Sequence, residues 1–367
     1  MTSSPEQAST ARRQYIDYLR GVAVLIMLLA HTFDAWTANA ERSTEAFRRI
    51  LILGGFGAPL FLWLAGVASV LSAERACRRS GSRKEAALSV FRRGVEIFLL
   101  AFLFRLQAFI VSPGASPVTL FRVDILNIMG PSIAAAGLVW GLSRNPAAVA
   151  LAYATLAVAV AMSAPLVRIA GWVNALPVGA QWYVRPAGDL TNFTLFPWAG
   201  FVFAGGTVGV LIAAARDRRT ETRVQLWLAA AGTALTAAGF YSATLPTIYR
   251  QSSFWTSSPT YFAIRTGVMM LALATTYGLA RAAADRGSIL RWLERLGRRS
   301  LFVYWIHVEL VYGYATWPIR HRLALWQTTI AWLAFSIMIY GMVVLRDRLG
   351  DRWRTKGSAP SPLYSNS

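Results

Sequence analysis

The sequence is poor in charged residues, and most of the charge that it has is positive. Only 15% of its 367 residues are Asp, Glu, Lys or Arg, against about 25% in an ordinary soluble domain. Hydrophobic residues make up 55%, and 37 Lys and Arg face 17 Asp and Glu. This composition excludes a soluble globular domain and predicts an integral protein of the membrane with several spans.

Cysteine and histidine are also scarce, with one and three residues respectively. The single Cys77 excludes an internal disulfide. Zinc-ligand spacings, a Walker sequence, a GxGxxG turn and a GxSxG elbow are all missing from the sequence. We therefore find no support for a metalloenzyme, a nucleotide hydrolase or an α/β-hydrolase, and we expect no metal.

Apolar segments of about 20 residues, the length that crosses a bilayer, recur ten times. They lie at roughly 15–36, 50–73, 88–111, 122–142, 147–164, 193–215, 224–243, 260–283, 299–315 and 323–345. The expected fold is all-α, a polytopic transmembrane helix bundle of about ten spans. We expect a polar N-terminal tail over 1–12, one transmembrane domain over 13–347, and a cytoplasmic, disordered tail over 348–367.

The basic residues predict the orientation of the bundle. The connections on one side, together with both chain ends, hold 25 of the 37 Lys and Arg, and the opposite connections, counted with Arg122 at the edge of the fourth span, hold nine. By the positive-inside rule the first side and both termini are cytoplasmic, as expected in the bacterial inner membrane. The charge therefore predicts contact with the bilayer and no nucleic-acid partner. The apolar and basic sides of 281–299 predict a short amphipathic helix on the cytoplasmic surface.

The first span carries ionisable groups inside an apolar helix. Arg20 and His31 are eleven residues apart, which places them near one face and about 16 Å apart along a helix. Asp17 and Asp34 lie one turn outside this pair on nearly the same stripe. Such groups are costly in a membrane and are a functional site by default.

The ninth span holds the second histidine of the membrane segments. Ser300, Tyr304 and His307 share one helical face, and Glu309 lies in the same span. Other polar residues in or beside the spans are Arg105, Arg265, Asp124 and Asn127. For Asp124 and Asn127 a helix cap or an ion pair is the plain structural alternative.

The order of the segments that carry these residues resembles the membrane acyltransferases. The similar segments are Arg-x10-His in the first span, the glycine-rich span around Pro59, DIL at 124–126, FPW at 196–198, and SLxxYxxH at 300–307. This resemblance includes acyltransferase family 3, which the Arg-x10-His spacing favours. It also includes the bacterial relatives of heparan-α-glucosaminide N-acetyltransferase, which the other segments favour.

The resemblance implies transfer of an acyl group, acetyl in the first instance, from cytoplasmic acyl-CoA. The acceptor would be a hydroxyl or amine of a glycan, a lipid head or a small molecule. His31 would act as general base or would itself carry the acyl group. Three further residues are expected to assist catalysis. Tyr304 and His307 are two of them, and the third is Asp34, which would orient the His31 ring.

The resemblance also implies sites for the donor and the acceptor. We expect the acyl-CoA to be bound by Arg20, Asp17, Arg105 and Arg265. Asp124, Asn127, Ser300 and Glu309 are expected to contact substrate or to serve as structural polar groups. The alternative function is a transporter whose buried Arg, His and Glu form a substrate or proton path. A homo-oligomer is compatible with either function.

Overall fold

The computed structural model describes residues 13–111, 116–283 and 290–357, and within these ranges it contains helices and no β-strand. The α-helices of these ranges are α1 Gln14–Trp36, α2 Glu45–Gly54, α3 Gly57–Ser80, α4 Arg83–Val111, α5 Ile125–Gly141, α6 Pro146–Ile169, α7 Val178–Val184, α8 Leu195–Ala214, α9 Arg218–Ala243, α10 Pro259–Ala282, α11 Arg291–Arg298, α12 Ser300–Tyr312 and α13 Leu325–Gly357.

The predicted all-α membrane bundle is confirmed. Among the described residues, eight helical stretches are long and apolar enough to cross a membrane, with α2 and α3 together forming one of them. Two further apolar helices, α5 and α12, are shorter and coincide with the fourth and ninth predicted spans. The length of an apolar run thus predicted each membrane helix.

The helix ends gather into two opposite layers. In one layer the Arg13 guanidinium donates to the carbonyls of Ile212 and Ala215, where α1 begins and α8 ends. Arg281 donates to Thr222 in the same layer. We call this layer, with the loops that carry most of the basic residues, the basic end. The other layer, the opposite end, is marked by the backbone pairing of Thr37 with Leu323.

The second span is broken four residues earlier than its proline suggested. A proline within an apolar span predicts a bend or break at that point, but α2 ends at Gly54 and α3 begins at Gly57. Pro59 then lies in the first turn of α3, where proline is tolerated. A Cβ at Gly54 would stand 2.9 Å from the Ala30 Cβ, so the break lets the chain approach α1 closely.

Helices α3 and α8 cross at glycine contacts. A Cβ on Gly66 would stand 1.9 Å from the Val202 carbonyl oxygen, and one on Gly205 would stand 1.9 Å from that of Trp63. Both distances are below any van der Waals contact, so each helix needs its glycine. The small residues predicted to allow close helix contact in the second span do so here.

Helices α11 and α12 form the part of the fold that differs most from the prediction. The short amphipathic helix exists as α11, but it packs on α1, where Gly297 lies against the Asp17 carbonyl and Gly21 against that of Leu293. Residues 284–289 of the predicted helix lie outside the described residues. Because α11 fills the basic end beside α1, the 13-residue α12 starts within the bundle and is only about 20 Å long.

The last helix is longer than predicted. We expected the chain to be disordered from residue 348, but α13 continues to Gly357. An apolar segment that starts as a membrane helix continues readily into the polar residues after it, because no proline occurs between Leu325 and Gly357. The rest of the predicted tail, 358–367, lies outside the described residues.

Candidate functional site

A cavity of about 1220 Å³ runs through the bundle from one end to the other. At the basic end its wall includes Arg20, Arg75 and Arg93, and at the opposite end it includes Arg122 and Arg320. Its sides are built mainly from α1, α3, α4, α5 and α12. The cavity wall therefore carries arginine side chains towards both ends of the bundle.

The two membrane histidines meet at the wall of this cavity. Nδ1 of His31 lies 2.7 Å from Nε2 of His307, and the rings are nearly parallel with centroids 4.9 Å apart. His31 borders the cavity, whereas His307 is fully buried behind it. Residues in two distant parts of the sequence thus form one contact because α12 packs along α1.

The hydrogen bonds of the pair define which nitrogen carries each proton. Nδ1 of His307 lies 2.9 Å from the Val303 carbonyl oxygen, which can only accept, so this nitrogen carries the proton. In the neutral ring, Nε2 of His307 then accepts from Nδ1–H of His31. The remaining nitrogen of His31, Nε2, is left with a free lone pair. The geometry therefore prepares His31 to act as a base.

Asp34 does not contact the His31 ring nitrogen that we expected it to orient. Its carboxylate accepts from Arg42 at 2.9 Å and from the Tyr312 hydroxyl at 2.9 Å. The place of the orienting group is taken by His307, which sequence spacing along α1 could not reveal. Tyr312 packs edge-on against His31 with centroids 5.7 Å apart, so Asp34 reaches the histidine only through this ring.

Polar side chains line the basic half of the cavity. Arg20 is held by Asp17 at 3.0 Å, and Asp17 is buried beside the cavity rather than in its wall. Ser300, at the first turn of α12, borders the same space. Arg75 and Arg93 belong to the basic residues that were counted for the membrane orientation. Their place in the sequence does not show whether they border a cavity or lie on the surface, and the structure shows that they border the cavity.

A hydrogen-bonded network closes the cavity wall near the opposite end. Asp124 accepts from Arg105 at 2.8 Å and from Asn192 at 2.5 Å. Arg122 in turn donates to Asn192 at 2.6 Å. Arg105, Asp124 and Asn192 all border the cavity. Asn192 was missed by the sequence analysis, since it lies in a long loop that only the fold brings to α5.

Asn127 is a structural residue at the start of α5. Its side-chain oxygen accepts from the Asp124 backbone N–H at 3.0 Å, which caps the helix. Its amide donates to the Tyr183 hydroxyl on α7 at 3.3 Å. Burial raises the pKa of Tyr183, so this hydroxyl stays protonated at neutral pH. The plain alternative of a cap therefore describes Asn127, while Asp124 serves the ion pair and the cavity wall.

Arg265 is a further cationic side chain in the half of the cavity wall that lies towards the opposite end. Its side chain is 8% exposed and borders the cavity. Its guanidinium lies 4.0 Å from the Tyr261 ring centroid and 5.6 Å from that of Trp198. Aromatic faces stabilise a cation in this position.

The remaining predicted site residues divide between the wall and the interior. Tyr304 borders the cavity, and its ring lies 5.8 Å from that of His307. Glu309 is buried away from the cavity, and both of its carboxylate oxygens are without a hydrogen-bond partner in the structure. Across the described ranges, no cluster of three or more His, Cys, Asp or Glu side chains could hold a metal ion.

Comparison with known proteins places this architecture in a family. The profile described as "Heparan-alpha-glucosaminide N-acetyltransferase, catalytic" matches residues 12–242, more than half of the chain. The match includes His31 and nearly all of α1 to α9, while His307 lies beyond it. No curated protein matches the sequence. The match supports the resemblance to heparan-α-glucosaminide N-acetyltransferase. It does not support the resemblance to acyltransferase family 3, which is a different family. The chain therefore belongs to the heparan-α-glucosaminide N-acetyltransferase catalytic family of membrane acetyltransferases.

Proposed function

We propose that this protein transfers an acetyl group across the membrane bundle, from cytoplasmic acetyl-CoA to an acceptor that enters at the opposite end. The observation that carries the proposal is the position of His31 on the wall of a cavity that reaches both ends. Family membership supports the acetyl donor. The predominance of basic loops at the basic end supports its assignment to the cytoplasm.

The donor would bind with its phosphates at the basic end. Arg20, Arg75 and Arg93 border the cavity there, and guanidinium groups bind phosphate oxygens in pairs. Ser300 brings the N-terminus of α12 to the same space, and helix N-termini favour anions. The acyl arm would then extend along α1 from Arg20 to His31, about 16 Å.

His31 would act as the general base of a direct transfer. Its Nε2 takes the proton of the acceptor hydroxyl or amine as the acceptor oxygen or nitrogen attacks the thioester carbonyl. The C–S bond then breaks, and the coenzyme A thiolate receives a proton from the imidazolium. His307 accepts a hydrogen bond from the charged His31 ring, which stabilises the imidazolium. Tyr304, which borders the cavity, would donate to the developing oxyanion.

Attack by Nε2 of His31 on the thioester is the competing route. It would release coenzyme A and leave an acetyl-imidazole that the acceptor then cleaves. Exchange of labelled coenzyme A into acetyl-CoA without acceptor separates the two routes, because only the acetyl-imidazole route supports it.

The test compares the purified protein in liposomes with two matched histidine variants. His31→Asn should lower transfer of labelled acetyl groups by about 10²–10⁴-fold, the usual contribution of a general base. His321→Asn removes the third histidine, which lies outside the cavity wall, and should leave the rate unchanged. Wild-type transfer by His31→Asn would refute the catalytic role. Absence of acetyl transfer and of acetyl-CoA binding in the wild type would favour the transporter.

A further inference from the structure

Arg265 is the buried arginine whose charge nothing in the described chain balances. No carboxylate oxygen of the described residues lies within 4.0 Å of its guanidinium, and its Nε lacks a hydrogen-bond partner. Two other arginines of the opposite half do have a carboxylate partner, since Arg105 pairs with Asp124 and Arg42 with Asp34. A buried charge without a partner is costly unless a ligand supplies one.

We propose that Arg265 binds an anionic group of the acceptor, so that the acceptor carries a carboxylate, phosphate or sulfate besides its hydroxyl or amine. This inference rests on the proposed acetyl transfer for the identity of the ligand as acceptor. It assigns Arg265 to the acceptor and no longer to acyl-CoA, where the resemblance had placed it.

The surroundings of Arg265 orient its guanidinium towards the cavity. Tyr261 and Trp198 lie beside the cation at 4.0 and 5.6 Å from their ring centroids, and Trp198 also borders the cavity. A Cβ on Gly55 would stand 3.5 Å from Nη2 of Arg265. Because Gly55 also borders the cavity, its lack of a side chain leaves room beside the guanidinium for a small anion.

The depth of Arg265 matches that of His31. Arg265 comes six positions after the start of α10 at Pro259, which is about 9 Å along the helix. His31 comes five positions before the end of α1 at Trp36, which is about 8 Å along that helix. Both helix ends lie at the opposite end of the bundle. Gly54 packs against Ala30, which precedes His31 in the chain, and the next residue, Gly55, lies beside the Arg265 guanidinium. These two glycines therefore connect the surroundings of His31 with those of Arg265.

Electrostatics in the outer half favours an anion. The charged side chains that border this half of the cavity are two acidic and four basic residues: Asp34, Asp124, Arg105, Arg122, Arg265 and Arg320. The charges of acyl-CoA are its phosphates, and these would lie at the basic end near Arg20, Arg75 and Arg93. The excess positive charge beyond His31 is therefore available to the acceptor.

The experiment compares Arg265→Met and Arg265→Lys with Arg250→Met in the purified full-length protein. Arg250 is an exposed arginine of the loop before α10, so its variant removes one charge from the same end without touching the cavity. The probes are glucosamine and glucosamine 6-phosphate, which differ by one anionic group. Binding is measured by isothermal titration and transfer by labelled acetyl-CoA.

The expected result is selective loss of the anionic probe. Arg265→Met should weaken glucosamine 6-phosphate by about 10- to 100-fold, the value of a charged hydrogen-bonded pair. Its use of glucosamine and its affinity for acetyl-CoA should not change. Arg265→Lys, which keeps the charge but loses the planar fork, should lie between. Arg250→Met should match the wild type.

Two results would overturn the assignment of Arg265, and a third concerns only the reaction. Equal binding of both probes by the wild type, or unchanged glucosamine 6-phosphate binding in Arg265→Met, excludes an anion site. A weakened affinity for acetyl-CoA in Arg265→Met would return the residue to the donor. Selective phosphate binding without any acetyl transfer would leave the anion site standing and refute the proposed function. Arg265→Lys preserves the buried charge if Arg265→Met fails to fold.

Discussion

The orientation of the His31 ring depends on a residue 276 positions away in the chain. His307 accepts from one ring nitrogen and thereby directs the other towards the cavity. His307 is itself held by the carbonyl of Val303 in the preceding turn of α12. The arrangement resembles the logic of any catalytic histidine whose second nitrogen is tied to a fixed partner.

Replacing His307 should reduce turnover without affecting donor binding. His307→Leu removes the acceptor of the His31 Nδ1–H bond, and we expect kcat to fall by about 10²-fold because the ring is free to rotate. His307→Gln places an amide oxygen near the former Nε2 and should recover most of the loss. KM for acetyl-CoA should stay within about twofold in both. Steady-state kinetics checks this, and a normal kcat in His307→Leu would contradict the positioning role.

Arg93 and Arg92 offer a matched test of the donor entrance. The two are adjacent on α4, but only Arg93 borders the cavity. Arg93→Met should raise KM for acetyl-CoA by about two- to fivefold, as expected for an exposed charge, and added salt should shrink the difference. Arg92→Met should behave as wild type. Equal effects of both variants would indicate a general surface potential instead of a binding contact.

At the level of helices, glycine determines how closely α3 and α8 approach. Gly66 and Gly205 each face a carbonyl oxygen of the partner helix at a distance that admits no Cβ. This contact supports the cavity, because Phe61, Ala65 and Ser69 of α3 border it on the same helix. Widening the crossing should therefore disturb both stability and the site.

Gly205→Ala should destabilise the protein by about 1–3 kcal/mol, the usual cost of overpacking. The methyl group would meet the backbone of Trp63, which cannot move aside as a side chain could. Gly278→Ala on α10 is the control, because no atom lies within 4 Å of its added Cβ. Thermal unfolding of the detergent-solubilised protein gives the comparison. Equal midpoints for the two variants would show that the crossing tolerates a wider spacing.

At the level of the whole molecule, the fold places His31 in the wall of a cavity whose lining includes arginines towards both ends of the bundle. Paired helix ends place both described chain ends at the basic end, as an even number of spans requires. In the proposed reaction, the cavity would let the donor and the acceptor remain on different sides of the membrane. Its orientation in the membrane is still a prediction from the distribution of basic residues.

Cysteine labelling tests this orientation directly. In a Cys77→Ser background, which removes the single native thiol, Ser252→Cys lies exposed at the opposite end and Ser80→Cys lies exposed at the basic end. A membrane-impermeant maleimide should label Ser252→Cys in intact cells and Ser80→Cys only after permeabilisation. The reverse pattern would invert the topology and with it the side from which acetyl-CoA enters.

Much of the fold was predictable because each membrane helix coincides with a predominantly apolar run of the sequence. The bend of the second span and the lengths of α12 and α13 were not, since glycine contacts and the packing of α11 decided them. At the site, His31, Arg20 and Tyr304 were predicted as catalytic or donor-binding residues, and all three border the cavity. Arg75, Arg93 and Asn192 also border the cavity but were not predicted as site residues, because nothing in the sequence distinguishes them from ordinary polar residues near the ends of spans.

The sequence alone determined that this chain is a helical membrane protein with costly polar groups in its first and ninth spans, because hydrophobicity and burial cost act residue by residue along one helix. The order of short motifs also indicated a membrane acyltransferase but left two families open, and the profile match supports the heparan-α-glucosaminide N-acetyltransferase family. Only the tertiary structure decided which polar groups meet. The pairing of His31 with His307, the diversion of Asp34 to Arg42 and Tyr312, and the unbalanced Arg265 all arise between helices, where packing and not periodicity sets the contacts.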